Sequence, residues 1–342
     1  MRKRVISVFN YLLFLLFGLA LLWLSFRKLD LAGVWNEMRN ANYFWLILSL
    51  FLTLISHLFR AARWNLLIGT LDYKTRLSTT FYSLMIGYLV NTGVPRMGEF
   101  VRCGVLSKKE NIPFNALFGT VISERFFDLL TLVLLIFLVI IFQVQLLRDF
   151  LHRFFDPFVQ KVFSNIWTIS ISGLIILLVF VAIYWYLKKN KDQLNQKPFY
   201  QKFRLFSKGV IDGIRTIKTM KRKKTFLFYT FMIWLFYALM VYFPFRMLAE
   251  TSGLTFMNGL TLLAIGSLGI VAPVPGGIGA YHFIVKSVLV ELYHISAQSA
   301  MSFAVLTHAG QTFLNISVGA LGYLTILLTK HQKPRNEALG NH

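Results

Sequence analysis

A single cysteine, Cys103, leaves the chain without an internal disulfide or a cysteine metal cage. Acidic residues are scarce as well: 14 Asp and Glu stand against 36 Lys and Arg, a formal net charge of +22. In a soluble protein such an excess would point to nucleic acid. Here no segment is long and polar enough to fold as a basic domain, so no nucleic-acid partner is expected. The sequence also lacks a metal-ligand cluster, a Ser/His/Asp arrangement and a nucleotide motif. No metal, no cofactor and no catalytic step are expected from it, and nothing would drive ATP-dependent pumping.

What the chain has in abundance is apolar residues, 56% of the total, with a mean hydropathy of +0.60. Soluble domains do not reach that value, because a core needs polar cover. Apolar segments fall at about 5–26, 43–68, 78–95, 115–146, 166–187, 225–248, 255–272 and 300–328, several of them near the roughly 20 residues needed to cross a bilayer. The expected fold is an all-α polytopic membrane protein, one membrane domain over 1–330 with a tail at 331–342. The first segment is too long for a signal-peptide core and no cleavage site follows it, so no signal peptide is expected.

Basic residues give the orientation. The 188–224 loop carries thirteen Lys and Arg against Asp192 and Asp212, which makes it cytoplasmic by the positive-inside rule. Arg2-Lys3-Arg4 and the tail with Lys330, Lys333 and Arg335 are expected on the same side. Eight crossings would put the 188–224 loop outside. If 78–95 and 255–293 instead dip in and return, the conflict disappears, leaving about six spanning helices and two oppositely oriented re-entrant hairpins. Both segments hold the helix breakers such hairpins need: Asn91, Gly93 and Pro95 in one, Pro273, Pro275, Gly276, Gly277 and Gly279 in the other. Opposed broken segments in two halves also suggest an inverted repeat. Eight ordinary crossings with one charge-rule violation is the rival. Within the basic loop, Phe199, Phe203, Phe206, Val210, Ile214 and Ile217 recur at helical spacing, as in an interfacial helix on an anionic leaflet; a solvated linker would read the same.

Three constellations could carry chemistry. Asn91-x3-Pro95-Arg96-x-Gly98-Glu99-x2-Arg102 sets two arginines beside a broken helix, which suits a phosphate or carboxylate headgroup; a snorkelling interfacial loop is the bland alternative. Glu124-Arg125-x2-Asp128 interrupts an apolar segment where each charge costs roughly 2.5–3.5 kcal/mol. Its carboxylates share one helix face and suit proton exchange, or a structural network with Arg60 or Arg63. Pro275-Gly276-Gly277-Ile278-Gly279-x2-His282 allows a tight hairpin tip, with His282 as a headgroup bonder or a structural histidine. Arg60 reads as a pocket residue, Arg63 with Trp64 as interfacial, and His308 and Gln311 as inward-facing.

Together these motifs, in this order, resemble the lysylphosphatidylglycerol synthase transmembrane region, also called the flippase-like membrane family, over about residues 5–330. In the full-length synthases a soluble aminoacyl-transferase domain follows this region; here none is expected. The resemblance implies movement of a lipid between leaflets: an anionic or amino-acylated phospholipid or a glycolipid, in a bacterial inner membrane, with both termini cytoplasmic. Arg60, Arg96, Arg102 and Arg125 would meet the headgroup phosphate, Glu99, Glu124 and Asp128 would organise them, and the two hairpins would frame the site. The alternative is a membrane subunit or acceptor-lipid platform for a separate glycosyl- or aminoacyl-transferase. Self-association into a homo-oligomer is left open. One departure stands out: relatives place a carboxylate where this chain has His282.

Overall fold

A computed structural model describes residues 2–27, 29–143, 220–269 and 274–329, with Trp185. One compact unit comprises 1–139 and 219–342; a second comprises 140–218, of which only 140–143 and Trp185 are described. The 166–187 segment, the interfacial-helix motif, Pro273 and the 331–342 tail lie outside the described residues. Among the described residues there is helix and loop but no strand.

The first half contains α1 (Arg2–Phe26), α2 (Leu31–Arg39), α3 (Tyr43–Gly69), α4 (Leu77–Gly93), α5 (Gly98–Glu110) and α6 (Phe114–Phe142). The second contains α7 (Lys223–Tyr242) with a 3₁₀ turn at Phe243–Met247, then α8 (Phe256–Gly269), a 3₁₀ turn at Pro275–Gly277, α9 (Ala280–Tyr293) and α10 (Ala297–Leu328). Local chemistry sets several ends. Asp30, Asn42 and Ser296 accept backbone N–H groups in the first turns of α2, α3 and α10. Asn111 and His294 close α5 and α9 in left-handed backbone.

Length sorts the helices. At 1.5 Å per residue α3 is about 40 Å long and α6 about 43 Å, enough to cross roughly 30 Å of hydrocarbon, whereas α4 reaches about 25 Å and α5, α8 and α9 only about 20 Å. Among the described residues four helices are long and apolar enough to cross: α3, α6, α7 with its 3₁₀ turn, and α10. A fifth crossing is available if α1 and α2, bent by 88°, count as one span. The helix α2 has no counterpart among the expected segments, because it carries only a few apolar residues.

The spans are polar inside and apolar outside. On α3, Ser49, Thr53, Ser56, His57, Arg60 and Arg63 are buried while Phe44, Ile47, Phe51 and Leu58 are exposed. On α6, Leu129, Val133, Phe137 and Ile141 face outward. That inversion is what a helix in lipid requires. α3 and α7 pack antiparallel: Ser49 bonds the Met240 carbonyl, Ser56 the Ile233 carbonyl, and Asn42 N–H the Met247 carbonyl. α4 runs against α10, where Gly319 faces Leu89 and Gly322 faces Tyr82.

These pairings define two ends. One gathers α2, residues 40–42, 247–258 and 293–298, joined by bonds such as Ser299 to Glu37 and Ser296 N–H to Glu250. The other gathers 69–77, 108–113, 220–224 and 326–329, where Lys109 Nζ bonds the Ile326 and Thr329 carbonyls at the end of α10. α4 and α5 leave and return at the second end; α8 and α9 leave and return at the first. Each half is therefore a long helix, a short helical hairpin and a long helix, set in opposite senses.

The hairpin tips meet. A side chain at Gly276 would stand 3.1 Å from the Thr92 carbonyl. The second tip turns through Gly276, Gly277 and Gly279, all at positive φ (59°, 75° and 82°), and a Cβ on Gly279 would collide with the Gly18 carbonyl of α1.

Candidate functional site: a buried arginine–carboxylate cluster

About 15 Å from the second end, roughly ten residues into α6, charged side chains from α3, α5 and α6 converge. α3 contributes Arg60 and Arg63, one helical step apart on its polar face. α5 contributes Glu99 and Arg102, and α6 contributes Glu124, Arg125 and Asp128.

Glu124 is the hub and is fully buried. Its Oε1 accepts from Arg60 Nε at 3.1 Å and Nη2 at 2.5 Å, with Arg63 Nη2 at 3.8 Å. Its Oε2 accepts from Arg102 Nη2 at 3.1 Å. Asp128, one turn on, takes Arg63 Nη2 at 2.6 Å and Arg60 Nη2 at 3.4 Å. Both carboxylates are matched by arginines, with Arg60 Nη2 reaching the two of them. Arg60 also donates to the hydroxyls of Tyr88 on α4 (2.9 Å) and Tyr237 on α7 (3.0 Å). Arg63 donates to Thr230 of α7. Five helices are tied together at this level.

The interfacial position expected for Arg63 and Trp64 is not what the structure shows. Both are completely buried: the segment end does not reach the surface there because α6 and α7 cover it. Trp64 Nε1 bonds Thr120 of α6 at 2.8 Å, and the Arg102 guanidinium lies 4.5 Å from the Trp64 ring.

The cluster has more donors than acceptors. Four guanidinium groups (Arg60, Arg63, Arg102, Arg125) face three carboxylates. Arg102 is 2% exposed, yet among the described residues its Nε and Nη1 have no hydrogen-bond partner, and neither does Arg63 Nε. Toward the outside, Arg125 (side chain 44% exposed) bonds Glu99 (25%) at 2.9 Å and lies 3.7 Å from Asp128.

The first motif splits in function. Asn91 Oδ1 accepts Gly98 N–H at 2.7 Å, stapling the end of α4 to the start of α5. Arg96 lies exposed at the tip, in left-handed backbone at φ 62°. The third motif builds the opposing tip. His308 of α10 bonds the Gly276 carbonyl at 2.9 Å, its ring lies tilted beside those of His282 (4.7 Å) and Tyr281 (5.2 Å), and Gly279 N–H approaches His282 Nδ1 at 3.4 Å. Gln311 reaches only the Met240 sulfur, at 3.7 Å. Sequence reasoning misses Tyr88 and Tyr237, which carry no charge to mark them among 14 tyrosines. Among the described residues no group of three His, Cys, Asp or Glu could hold a metal.

Comparison with known proteins follows the same motifs. The family model described as "Lysylphosphatidylglycerol synthase TM region" matches residues 11–319. The chain is 30% identical over 131 residues to the UPF0104 membrane protein MJ1595 of Methanocaldococcus jannaschii, a match that spans 37% of this chain and 38% of that protein. It is 22% identical over 320 residues to the UPF0104 membrane protein PH1989 of Pyrococcus horikoshii, spanning 86% of this chain and 90% of that one. No solved structure matches.

Proposed function

The chain belongs to the lysylphosphatidylglycerol synthase transmembrane family, and from that premise we propose that it moves a lipid with an anionic headgroup between the leaflets of a bacterial inner membrane. The candidate lipids are an anionic or amino-acylated phospholipid and a glycolipid. The observation that carries this reading is the surplus of buried donors on Arg102 and Arg63. A buried donor without an acceptor costs about 1–3 kcal/mol, and a phosphodiester monoanion would supply acceptors to these nitrogens.

The residues divide the work. Arg102, Arg63 and Arg125 contact the phosphate, joined by Arg96 from the tip of α4–α5. Arg60, saturated by Glu124, Tyr88 and Tyr237, positions Glu124 rather than the headgroup. Glu124, Asp128 and Glu99 hold the arginines apart and yield them to the phosphate. The meeting of the two hairpin tips sets the level at which the headgroup changes sides, with Gly276, Gly277, Gly279 and His282 on the far wall and the acyl chains left in lipid.

Charge supports an orientation. The second end carries Lys74, Arg76, Lys108, Lys109, Lys221, Arg222, Lys223 and Lys224 against Asp72 and Glu110, while the first carries Arg27, Arg39 and Arg246 against Asp30, Glu37, Glu250 and Glu291. The second end is then cytoplasmic, with both termini on that side, and the α4–α5 hairpin re-enters from the cytoplasm.

The test is movement of fluorescent phosphatidylglycerol by purified protein in liposomes, with Arg102→Gln and Glu124→Ala alongside. Movement that both substitutions abolish is the expected result. No movement over several lipids, with a pH gradient imposed, would sink translocation and leave a platform for a separate transferase.

A further inference from the structure

We infer that the lipid phosphate reaches the buried cluster sideways, between α5 and α6, docking first on Arg125 in place of Glu99 and then on Arg102. This rests on the lipid-handling reading above and adds to it a route and a first contact.

The packing leaves room on this side. Among the described residues α6 joins none of the closely packed helix pairs. It is held at side-chain length, toward α5 by the Arg102–Glu124 and Arg125–Glu99 pairs and by stacking of Phe100 on Phe118 at 5.0 Å.

The outer ion pair sits where a structural staple has little reason to be. Arg125 falls in the outward stripe of α6 with Ile122, Leu129 and Val133, all exposed. An exposed guanidinium at this depth is costly, and Asp128, at 3.7 Å, already offers it a more buried partner. Glu99 is the more exposed of the two carboxylates beside Arg125 and so the easier for an incoming anion to displace. Behind it, Arg102 lies three residues along the same helix and so on the same face, with the two unsatisfied nitrogens that a phosphate would fill. On the Arg125 guanidinium the phosphodiester takes the place of the Glu99 carboxylate, one monoanion for another.

The flanks identify the source. Phe100, Ile122 and Leu129 are large, apolar and exposed around the pair, so the opening faces hydrocarbon rather than water, and the ligand is a membrane phosphodiester rather than free phosphate.

The experiment measures binding of phosphatidylglycerol to the full-length protein in detergent, by titration, for wild type, Arg125→Gln, Glu99→Gln and the exposed control Arg246→Gln, each matched for thermal stability. Arg125→Gln is expected to weaken binding about tenfold, the scale of one charge-assisted contact. Glu99→Gln, which removes the competitor while keeping side-chain shape, is expected to strengthen it several-fold. Arg246→Gln should bind as wild type, and millimolar inorganic phosphate should displace nothing. Unchanged binding in both Glu99→Gln and Arg125→Gln would make the pair a staple and overturn the route; displacement by phosphate would overturn the lipid assignment. Lipid movement in liposomes is read separately on the same variants. The expected binding pattern without movement would leave the route standing and remove translocation, whereas movement with unchanged binding would remove the route alone.

Discussion

The two helical hairpins share an outline and differ in chemistry. α4–α5 and α8–α9 are both short pairs flanked by long helices, and they enter the bundle from opposite ends. The first brings charge: Glu99 and Arg102 on its returning limb meet Arg125 and Glu124. The second brings backbone: three glycines at positive φ and a histidine, His282, whose ring packs at a tilt against His308 of α10. One architecture thus supplies ionic recognition on one side and close approach on the other. A symmetric frame with asymmetric contents suits a molecule that holds a charged group on one side of its midplane and lets it pass on the other.

The sharpest way to break this contrast is at its ionic centre. Glu124→Ala strips Arg60, Arg63 and Arg102 of a shared partner and leaves buried positive charge uncompensated, a loss on the order of 3–5 kcal/mol. Thermal denaturation in detergent should show a larger drop for it than for any single change in the second hairpin. Pairing it with Arg60→Ala should cost less than the sum of the two, since the second change removes a charge the first had orphaned. Additive losses would mean the pair is not coupled.

The matching change in the other hairpin is Gly279→Ala. At φ 82° an alanine is strained, and its Cβ would run into the Gly18 carbonyl, so about 1–3 kcal/mol is expected. Its signature should be local: faster proteolysis or thiol labelling at the second tip, with the arginine cluster intact. If Gly279→Ala disturbed the cluster as much as Glu124→Ala does, the division between the hairpins would be wrong.

A smaller effect sharpens the comparison within the first hairpin. Asn91→Ala removes the bond to Gly98 N–H that caps α5, about 1 kcal/mol, while leaving every ion pair in place. It should lower stability slightly and spare phosphatidylglycerol binding. Loss of binding with unchanged stability would return Asn91 to the headgroup site, where the motif alone puts it.

Much of this frame is legible in the sequence. Seven of the eight apolar segments coincide with described helices, because runs of lipid-facing residues are hard to hide, and the Pro and Gly breakers fall where the two short hairpins turn. Arg60 is recognisable as a pocket residue from its depth in α3. Arg63 is not, since its position near a segment end looks the same whether α6 and α7 cover it or lipid headgroups do. Tyr88 and Tyr237 are unreadable for a related reason: their hydroxyls matter only because Arg60 arrives between α4 and α7, and that convergence is a property of packing rather than of spacing. The contact of the tips through Gly276 and Thr92 is likewise out of reach, although the glycines themselves mark where a close approach occurs.

The smallest expected effect lies at the second tip. His308 holds the Gly276 carbonyl at 2.9 Å and packs at a tilt against His282, so His308→Phe keeps an aromatic ring there and removes one hydrogen bond, worth about 0.5–1.5 kcal/mol. If the second hairpin contributes shape alone, this variant should lose that much stability and move lipid at the wild-type rate. A slowed rate at unchanged stability would mean that the histidine pair takes part when the headgroup passes. The contrast between an ionic hairpin and a neutral one would then be a matter of degree.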